Sequence, residues 1–281
     1  LNINGGEDWF AMTGQVVVDE RLTLEMGMLL EYLEKSSTRF LEIKPGQFVE
    51  LTEAFRKRLQ ALDRYSVRDG KGLKFHPLAA LALEGFFQEV GSVRSNNEWK
   101  AHIAKLQTQT DPLLAAPSTL NAELRDYQLE GINWMNCLSD WGVGACLADD
   151  MGIGKTMQTL AMLIKYAPKG PSLVIAPTSV CANWIAEANR FAPSLNLILF
   201  GGSKRKKILE DAGNFDVLIC SYGLMQQKKV AAMLSAISWQ MVVLDEAQAI
   251  KNFATQRSRS VMKLTAAFKV VLTGTPIENH L

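Results

Sequence analysis

The sequence predicts an α/β fold in which a parallel sheet carries helices on both faces. From Leu120 onward, short apolar runs alternate with segments whose apolar residues recur at helical spacing. Strands separated by helices of this length are typical of a doubly wound parallel sheet. Polar clusters follow the ends of several apolar runs, and such sheets bind their ligands at the carboxyl ends of the strands.

Residues 1–118 have a different pattern and are predicted to form a smaller α+β region, so we expect two domains, 1–118 and 119–281. A β-hairpin is predicted around Lys44-Pro45-Gly46, and Thr52 is expected to cap the helix that follows. The run Asp69-Gly70-Lys71-Gly72 is interpreted as a break in the chain. The other predicted elements are strands at 9–10 and 15–18, and helices ending near 35, over 78–90 and over 97–107.

Strands and helices alternate through the second domain. The predicted strands are 143–148, 172–176, 195–200, 216–220, 241–245 and 268–272. The predicted helices are 125–140, the segment after 156, 180–191, 203–209, 226–237 and 255–264.

A glycine-bearing loop at residues 149–156 joins the first of these strands to a helix. Unpaired backbone N–H groups and the positive end of the helix dipole make such a loop a site for phosphate. Lys155 can reach the outer phosphates of a nucleotide, and the Thr156 hydroxyl can ligate Mg²⁺. A strict phosphate loop has glycine where this chain has Asp149, so a glycine-rich turn with a solvated lysine is the alternative. The loop residues predicted to bind nucleotide are Met151, Gly152, Ile153, Gly154, Lys155 and Thr156.

A second stretch supports the nucleotide site. The apolar run 241–244 ends in Asp245 and Glu246. Two carboxylates at the tip of a buried strand are costly without a partner, and a Mg²⁺–nucleotide supplies one. Asp245 is expected to hold the metal, largely through its water shell, and Glu246 to polarise the attacking water.

Composition constrains the class of protein only loosely. The 281 residues are 48% hydrophobic, which is ample for a core, and the net charge of +1 argues neither for nor against nucleic acid. The four cysteines show no CxxC or metal-type spacing. No apolar run of about 18 residues predicts a membrane span. The polar start lacks a signal peptide and an initiator methionine, so we expect a piece of a longer protein.

The order of five motifs resembles the first RecA-like lobe of helicase superfamily two. The motifs are LRDYQ (124–128), DDMGIGKT (149–156), APT (176–178), DEAQ (245–248) and TGTP (273–276). In detail the chain is similar to the SNF-two (SWI/SNF) family of ATP-driven double-stranded-DNA translocases, whose phosphate loop also lacks the first glycine. LEGINW at 129–134 and Asn183-Trp184 fit that family, and residues 1–118 more loosely resemble the segment that precedes the ATPase in its bacterial members.

The resemblance implies roles for single residues. Gln128 would read the adenine edge, or it is a buried glutamine satisfied by protein groups. Gln248 would act with Lys155, Asp245 and Glu246 by sensing the γ-phosphate, or it is an ordinary helix-start glutamine. Residues expected to couple the nucleotide state to lobe movement are Thr273, Gly274 and Thr275.

The same resemblance implies contact with the DNA backbone at Pro177, Thr178, Ser221 and Tyr222, although these residues could be simple strand-end caps. The basic run 204–207 could extend this track or be a solvated surface. Cys220-Ser221-Tyr222 stands where Thr-Thr-Tyr is common, which weakens the role of Ser221. Implied partners are duplex DNA bound without regard to sequence, nucleic-acid-bound proteins or RNA polymerase, and a second RecA-like lobe that carries an arginine finger and is absent here. The implied location is the bacterial cytosol or nucleoid.

Two other classes of function compete with this interpretation. A GTPase-type switch requires an Asn/Thr-Lys-x-Asp motif, and no Lys-x-Asp occurs in the chain. A catalytically silent nucleotide-binding or protein-interaction module would keep the fold without using energy. The presence of Lys155, Asp245 and Glu246 argues against that alternative for the longer parent protein, but not for this chain. Because the second lobe would supply the arginine finger, the chain alone is expected to turn over ATP poorly.

Overall fold

A computed structural model describes residues 1–5, 9–18, 22–35, 38–70, 72–88, 92–107, 115–150 and 152–274. The chain divides into two compact units, Leu1–Gln109 and Thr110–Leu281. The domain boundary expected after residue 118 therefore lies inside the second unit. No helix among the described residues is long and apolar enough to span a membrane.

Short strands and helices build the first unit around a mainly antiparallel sheet. The described elements are β1 (Asn2–Asn4), β2 (Phe10–Thr13), β3 (Gln15–Val17), β4 (Thr23–Glu25), α1 (Met26–Lys35), β5 (Phe40–Lys44), β6 (Gln47–Glu50), α2 (Glu53–Tyr65), β7 (Ser66–Asp69), β8 (Gly72–Phe75), α3 (Ala79–Gln88), β9 (Arg94–Ser95) and α4 (Asn97–Gln107). Five strands form one sheet in the order β7-β8-β2-β1-β9, in which only β9 joins its neighbour in parallel.

Local turn and cap signals determine much of this unit. The hairpin around Lys44-Pro45-Gly46 is confirmed, because β5 and β6 pair antiparallel on either side of it. Thr52 caps α2, since its Oγ1 accepts the N–H of Phe55 at 3.3 Å. The break predicted at 69–72 coincides with a turn, but the strands on either side of it, β7 and β8, were not predicted. Asp69 pairs with Gly72 across a tight turn between β7 and β8, in which Gly70 has φ +59°.

The second unit alternates strands with helices, as its sequence predicts. Its described elements are α5 (Asp126–Asp140), β10 (Ala145–Leu147), α6 (Lys155–Tyr166), β11 (Ser172–Ala176), α7 (Thr178–Phe191), β12 (Asn196–Leu199), α8 (Arg205–Asp211), β13 (Asp216–Ser221), α9 (Tyr222–Met225), α10 (Lys228–Ser235), β14 (Ser238–Leu244), α11 (Gln256–Met262) and β15 (Thr265–Leu272). Two 3₁₀ turns, Ala167–Lys169 and Ala247–Ile250, complete the set.

All six strands of this unit pair in parallel, in the order β10-β15-β14-β11-β13-β12. The parallel α/β fold is therefore confirmed. Every residue of β11 is buried, and successive residues enter different cores because side chains alternate across a strand. Val174 packs in the cluster that contains Met162 and Trp184, whereas Ile175 packs in the cluster that contains Trp239. Apolar helices therefore cover both faces of the sheet.

The segment after β13 departs from the prediction. One helix was expected over 226–237, but two short helices, α9 and α10, occupy 222–235. Ser221 begins α9, because its Oγ accepts the N–H of Leu224 at 3.4 Å. The glycine at 223 and the four-residue length of α9 leave too weak a periodic signal to detect from the sequence.

Candidate functional site

Parallel pairing brings the predicted site residues to one edge of the sheet. Residues 149–156 follow β10, and residues 177–178 follow β11. Residues 221–222, 245–246 and 273–274 lie at the carboxyl ends of β13, β14 and β15. Because the strands run in one direction, these five segments share the edge where parallel sheets bind ligands.

The loop before α6 leaves the start of that helix open to an anion. Gly154 is the N-cap of α6 with φ +89°, and no side chain caps the helix there. Gly152 has φ +85°, and a Cβ built on it would meet nothing within 4 Å. The first N–H groups of a helix have no partner within the helix and favour a negative charge. The geometry therefore fits a phosphate group at the N-terminus of α6.

The ammonium of Lys155 lies across this loop. It donates to the backbone carbonyls of Asp149 at 2.6 Å and of Asp150 at 2.9 Å. The side chain of Thr156, the next residue, is half-buried. A phosphate at the helix start would therefore compete with two carbonyls for Lys155, and it would gain a charge-assisted bond in their place.

Two side chains of α5 converge on the carbonyl of Ile153 in the same loop. The Tyr127 hydroxyl donates to it at 2.9 Å, and the Gln128 amide donates to it at 3.1 Å. The amide oxygen of Gln128 accepts the N–H of Arg125 at 2.9 Å. Gln128 thus makes the protein contacts of the alternative given above, and its contact with adenine stays a prediction. Tyr127 was given no separate role from the sequence.

Three bonds hold Asp245 at the end of β14. Its backbone N–H donates to the Ile175 carbonyl at 2.8 Å, and its Oδ1 accepts the N–H of Glu246 at 2.9 Å. The indole of Trp184 donates to Oδ2 at 2.8 Å. Burial raises the pKa of Asp245, and the hydrogen bond from Trp184 opposes that rise. Sequence analysis assigned Trp184 no role of its own, because no local pattern predicts a contact between residues 61 positions apart.

A series of side-chain hydrogen bonds connects Glu246 to Thr273. Glu246 has the left-handed backbone conformation, φ +50° and ψ +54°, which is rare outside glycine. Its Oε2 accepts from the Gln248 amide at 2.6 Å, and the amide oxygen of Gln248 accepts from the Thr273 hydroxyl at 3.2 Å. The end of β15 is thus connected to the carboxylate predicted to polarise water.

The oxygen donors at this edge belong to the kind that Mg²⁺ takes when it binds together with a nucleotide. Among the described residues, no group of three or more histidine, cysteine, aspartate or glutamate side chains could hold a metal ion. Mg²⁺ takes one or two protein carboxylates together with waters and substrate phosphates. The Asp245 carboxylate and the Thr156 hydroxyl supply oxygen donors of the required kind.

Residues 127–281 match the SNF2-related domain family. The chain belongs to this family. The match spans more than half of the sequence and includes the phosphate loop, the Asp245–Glu246 pair and Thr273.

Individual proteins of the SNF2 family are also similar to this chain. YwqA of Bacillus subtilis, named as a candidate ATP-dependent helicase/translocase, is 34% identical over 273 residues, covering 89% of this chain and 29% of YwqA. The yeast ISWI chromatin-remodeling complex ATPase ISW1 is 38% identical over 177 residues, covering 59% of this chain and 15% of ISW1. The Sulfolobus solfataricus SWI2/SNF2 ATPase core in complex with double-stranded DNA superposes with a TM-score of 0.53 at 40% identity, covering 59% of this chain and 35% of that one.

The alignments with YwqA and ISW1 cover different shares of the chain. The YwqA alignment covers 89% of the chain, so it reaches well into the first unit, whereas the ISW1 alignment covers 59%. A bacterial-type SNF2 relative is therefore supported. This chain spans less than a third of YwqA.

The residues predicted to contact DNA differ in exposure. Pro177 and Thr178 begin α7, and Thr178 is exposed. The Ser221 hydroxyl is half-buried and caps α9. Tyr222 is only 2% exposed, and its hydroxyl is buried in the fold. The Tyr222 side chain packs into the sheet core, which leaves its backbone to face the edge, and its contact with DNA stays a prediction.

The remaining predicted site residues are the basic run 204–207, Met151 and Thr275. The basic run 204–207 lies at the exposed start of α8, where Arg205 donates to Gln227 at 3.2 Å and Lys206 pairs with Glu210 at 3.4 Å. Both interpretations of this run stay open. Met151 and Thr275 lie outside the described residues.

We predict that Gly154→Ala abolishes nucleotide binding, and that this loss is larger than the loss of folding stability can explain. The left-handed conformation costs a residue with a Cβ about 1–2 kcal/mol, and here the new Cβ would also meet the Gln128 amide that holds Ile153. Thermal unfolding together with titration of a fluorescent ATP analogue checks this prediction.

Gly142→Ala is the matched control. Gly142 has φ +76° and lies in the turn before β10, and its added Cβ would meet nothing within 4 Å. Gly142→Ala should lose the stability that the left-handed backbone costs, Gly154→Ala should lose at least as much, and only Gly154→Ala should lose affinity for the nucleotide. Equal affinities in the two variants would contradict the role assigned to this loop.

Proposed function

We propose that this chain binds ATP with Mg²⁺ and hydrolyses it as part of an ATP-driven translocase on double-stranded DNA. One observation carries the proposal: the open start of α6, with Lys155, shares a sheet edge with Asp245 and Glu246. The names of the SNF2-family relatives, which describe ATPases and an ATP-dependent translocase, support it.

Each residue then has a defined task. Lys155 exchanges the carbonyls of Asp149 and Asp150 for the outer phosphates, and the α6 N-terminus receives the phosphate charge. Asp245 and Thr156 hold the metal, which neutralises charge on the nucleotide when bound. Glu246 orients and polarises the attacking water. Gln248 lies between Glu246 and Thr273, so a change at the nucleotide can shift the end of β15.

We expect Lys155→Ala to weaken ATP binding by about 1.5–3 kcal/mol, because one charge-assisted phosphate contact is lost. Fluorescent-ATP titration of the native chain and the variant measures the difference. Lys263→Ala, which removes an exposed lysine at the end of α11, is the control and should bind as the native chain does. If Lys155→Ala binds equally well, the nucleotide site is wrongly placed.

We expect Glu246→Gln to retain ATP binding and to lose hydrolysis. Gln has nearly the shape of Glu but cannot accept the proton of water, and general-base catalysis contributes about 10²–10⁴-fold. Single-turnover hydrolysis of labelled ATP, measured beside the binding titration, separates the two effects. A variant that still hydrolyses at the native rate would assign the water-polarising role elsewhere.

The DNA part of the proposal rests on surface groups at the same edge. The exposed Thr178, the half-buried Ser221 and the backbone N–H groups beside them suit phosphate contacts that read no base. The solved Sulfolobus solfataricus relative holds double-stranded DNA, which supports this choice of partner. Proteins bound to DNA, RNA polymerase among them, and a location in the bacterial cytosol or nucleoid would follow from it.

We predict that the chain binds duplex DNA weakly, with strong dependence on salt and none on sequence. Phosphate contacts release counterions, so the affinity falls as the salt concentration rises. Titrating two unrelated duplexes at about 50 and 200 mM salt tests this prediction. A preference for one duplex that persists at the higher salt would show that the protein reads bases instead.

A further inference from the structure

Trp184 joins two parts of the site that are far apart in sequence. It lies on α7 and is 2% exposed, within the apolar cluster that also contains Met162, Val174 and Ala188. Its indole N–H donates a hydrogen bond to Asp245 Oδ2 at 2.8 Å, which connects the apolar cluster to the site. An indole N–H is a donor and nothing else, so it can bind a carboxylate but does not compete as a metal ligand.

The other two hydrogen bonds of Asp245 do not by themselves determine the orientation of its carboxylate. The bond from Asp245 N–H to the Ile175 carbonyl locates the backbone, and the N–H of Glu246 binds Oδ1. With Oδ1 alone bonded, the carboxylate could still rotate about its Cβ–Cγ bond. The Trp184 bond to Oδ2 holds the second oxygen, and each oxygen keeps a further lone pair for a metal or its water.

The tryptophan itself has little freedom to move. Close packing holds a large buried ring in one rotamer, and the ring has only two rotatable side-chain bonds. Trp184 therefore acts as a rigid support whose position is set by α7 and by β11, the strand that neighbours β14. Groups behind a metal ligand that orient it in this way affect metal affinity strongly.

We infer that Trp184 is a positioning residue that holds the Asp245 carboxylate in the orientation required for magnesium-linked nucleotide binding. This inference rests on the proposed function and adds to it a residue that makes no contact with the nucleotide. The competing explanation is that Trp184 only fills the core and that its bond to Asp245 satisfies a buried donor.

The test separates orientation of the carboxylate from packing of the core. Affinity for a fluorescent ATP analogue is measured with excess Mg²⁺ and again with EDTA, and the ratio gives the gain from the metal. In Trp184→Phe we expect this gain to fall about tenfold or more. The affinity in EDTA, which depends on Lys155 and the α6 N-terminus, should not change.

Trp239→Phe is the matched control for loss of a buried indole donor. Trp239 is 1% exposed, lies in the other core cluster, and donates to the Leu234 carbonyl at 2.9 Å. It should keep the full gain from Mg²⁺. An equal loss in both variants would mean general loosening of the fold and would overturn the inference.

A second replacement guards against misfolding. Incorporating β-(3-benzothienyl)alanine at position 184 keeps the size and shape of the ring and replaces only the N–H by sulfur. This variant should lose the magnesium gain as Trp184→Phe does, while its melting temperature stays near that of the native chain. If it retains the native gain, Trp184 serves packing alone and the inference is wrong. If the native chain shows no magnesium gain, the proposed function fails first, so the two failures are distinguishable.

Discussion

The bond between the Ile175 carbonyl and the N–H of Asp245, 2.8 Å long, extends the parallel pairing of β11 and β14 beyond the last residue of β14. The site depends on this extension. It places the carboxylate of Asp245 beside the start of α7, which follows β11 directly, and so within reach of Trp184. It also requires the chain to turn sharply at Glu246, whose left-handed backbone points the following residues toward Thr273 at the end of β15.

Several polar side chains of this edge bond to the protein itself. Lys155 binds two carbonyls of its own loop, Gln128 binds Ile153, and Gln248 binds both Glu246 and Thr273. Partly buried polar groups are costly when they lack partners, so these bonds stabilise the site without a ligand. Under the proposed function, a nucleotide would exchange bonds with Lys155 and Gln248 as it binds, and this exchange would couple binding to movement of the loop and of the strand end.

Sequence reasoning succeeded where the signal is local or periodic. The six parallel strands, the strand–loop–helix around Gly154 and the cap at Thr52 each follow from residues within a few positions of one another. Sequence reasoning failed where a short element carries little periodicity, as in α9. It also missed two short strands joined by the turn at Gly70, because their residues have no clear strand pattern. Sequence reasoning also missed the burial of the Tyr222 ring, because the exposure of a side chain at a strand end depends on what packs above it.

The sequence by itself determined the kind of chemistry that the site can support. The features that do so are a lysine and two glycines before a helix, and two carboxylates at the end of an apolar strand. These features need only the neighbouring residues, since helix termini and strand ends have fixed electrostatic properties. Only the tertiary structure decided which groups support that chemistry. Trp184 and Asp245 are 61 positions apart, and Gln248 and Thr273 are 25 apart. No local pattern encodes such contacts, because they arise only when the order β15-β14-β11 sets the strand ends side by side.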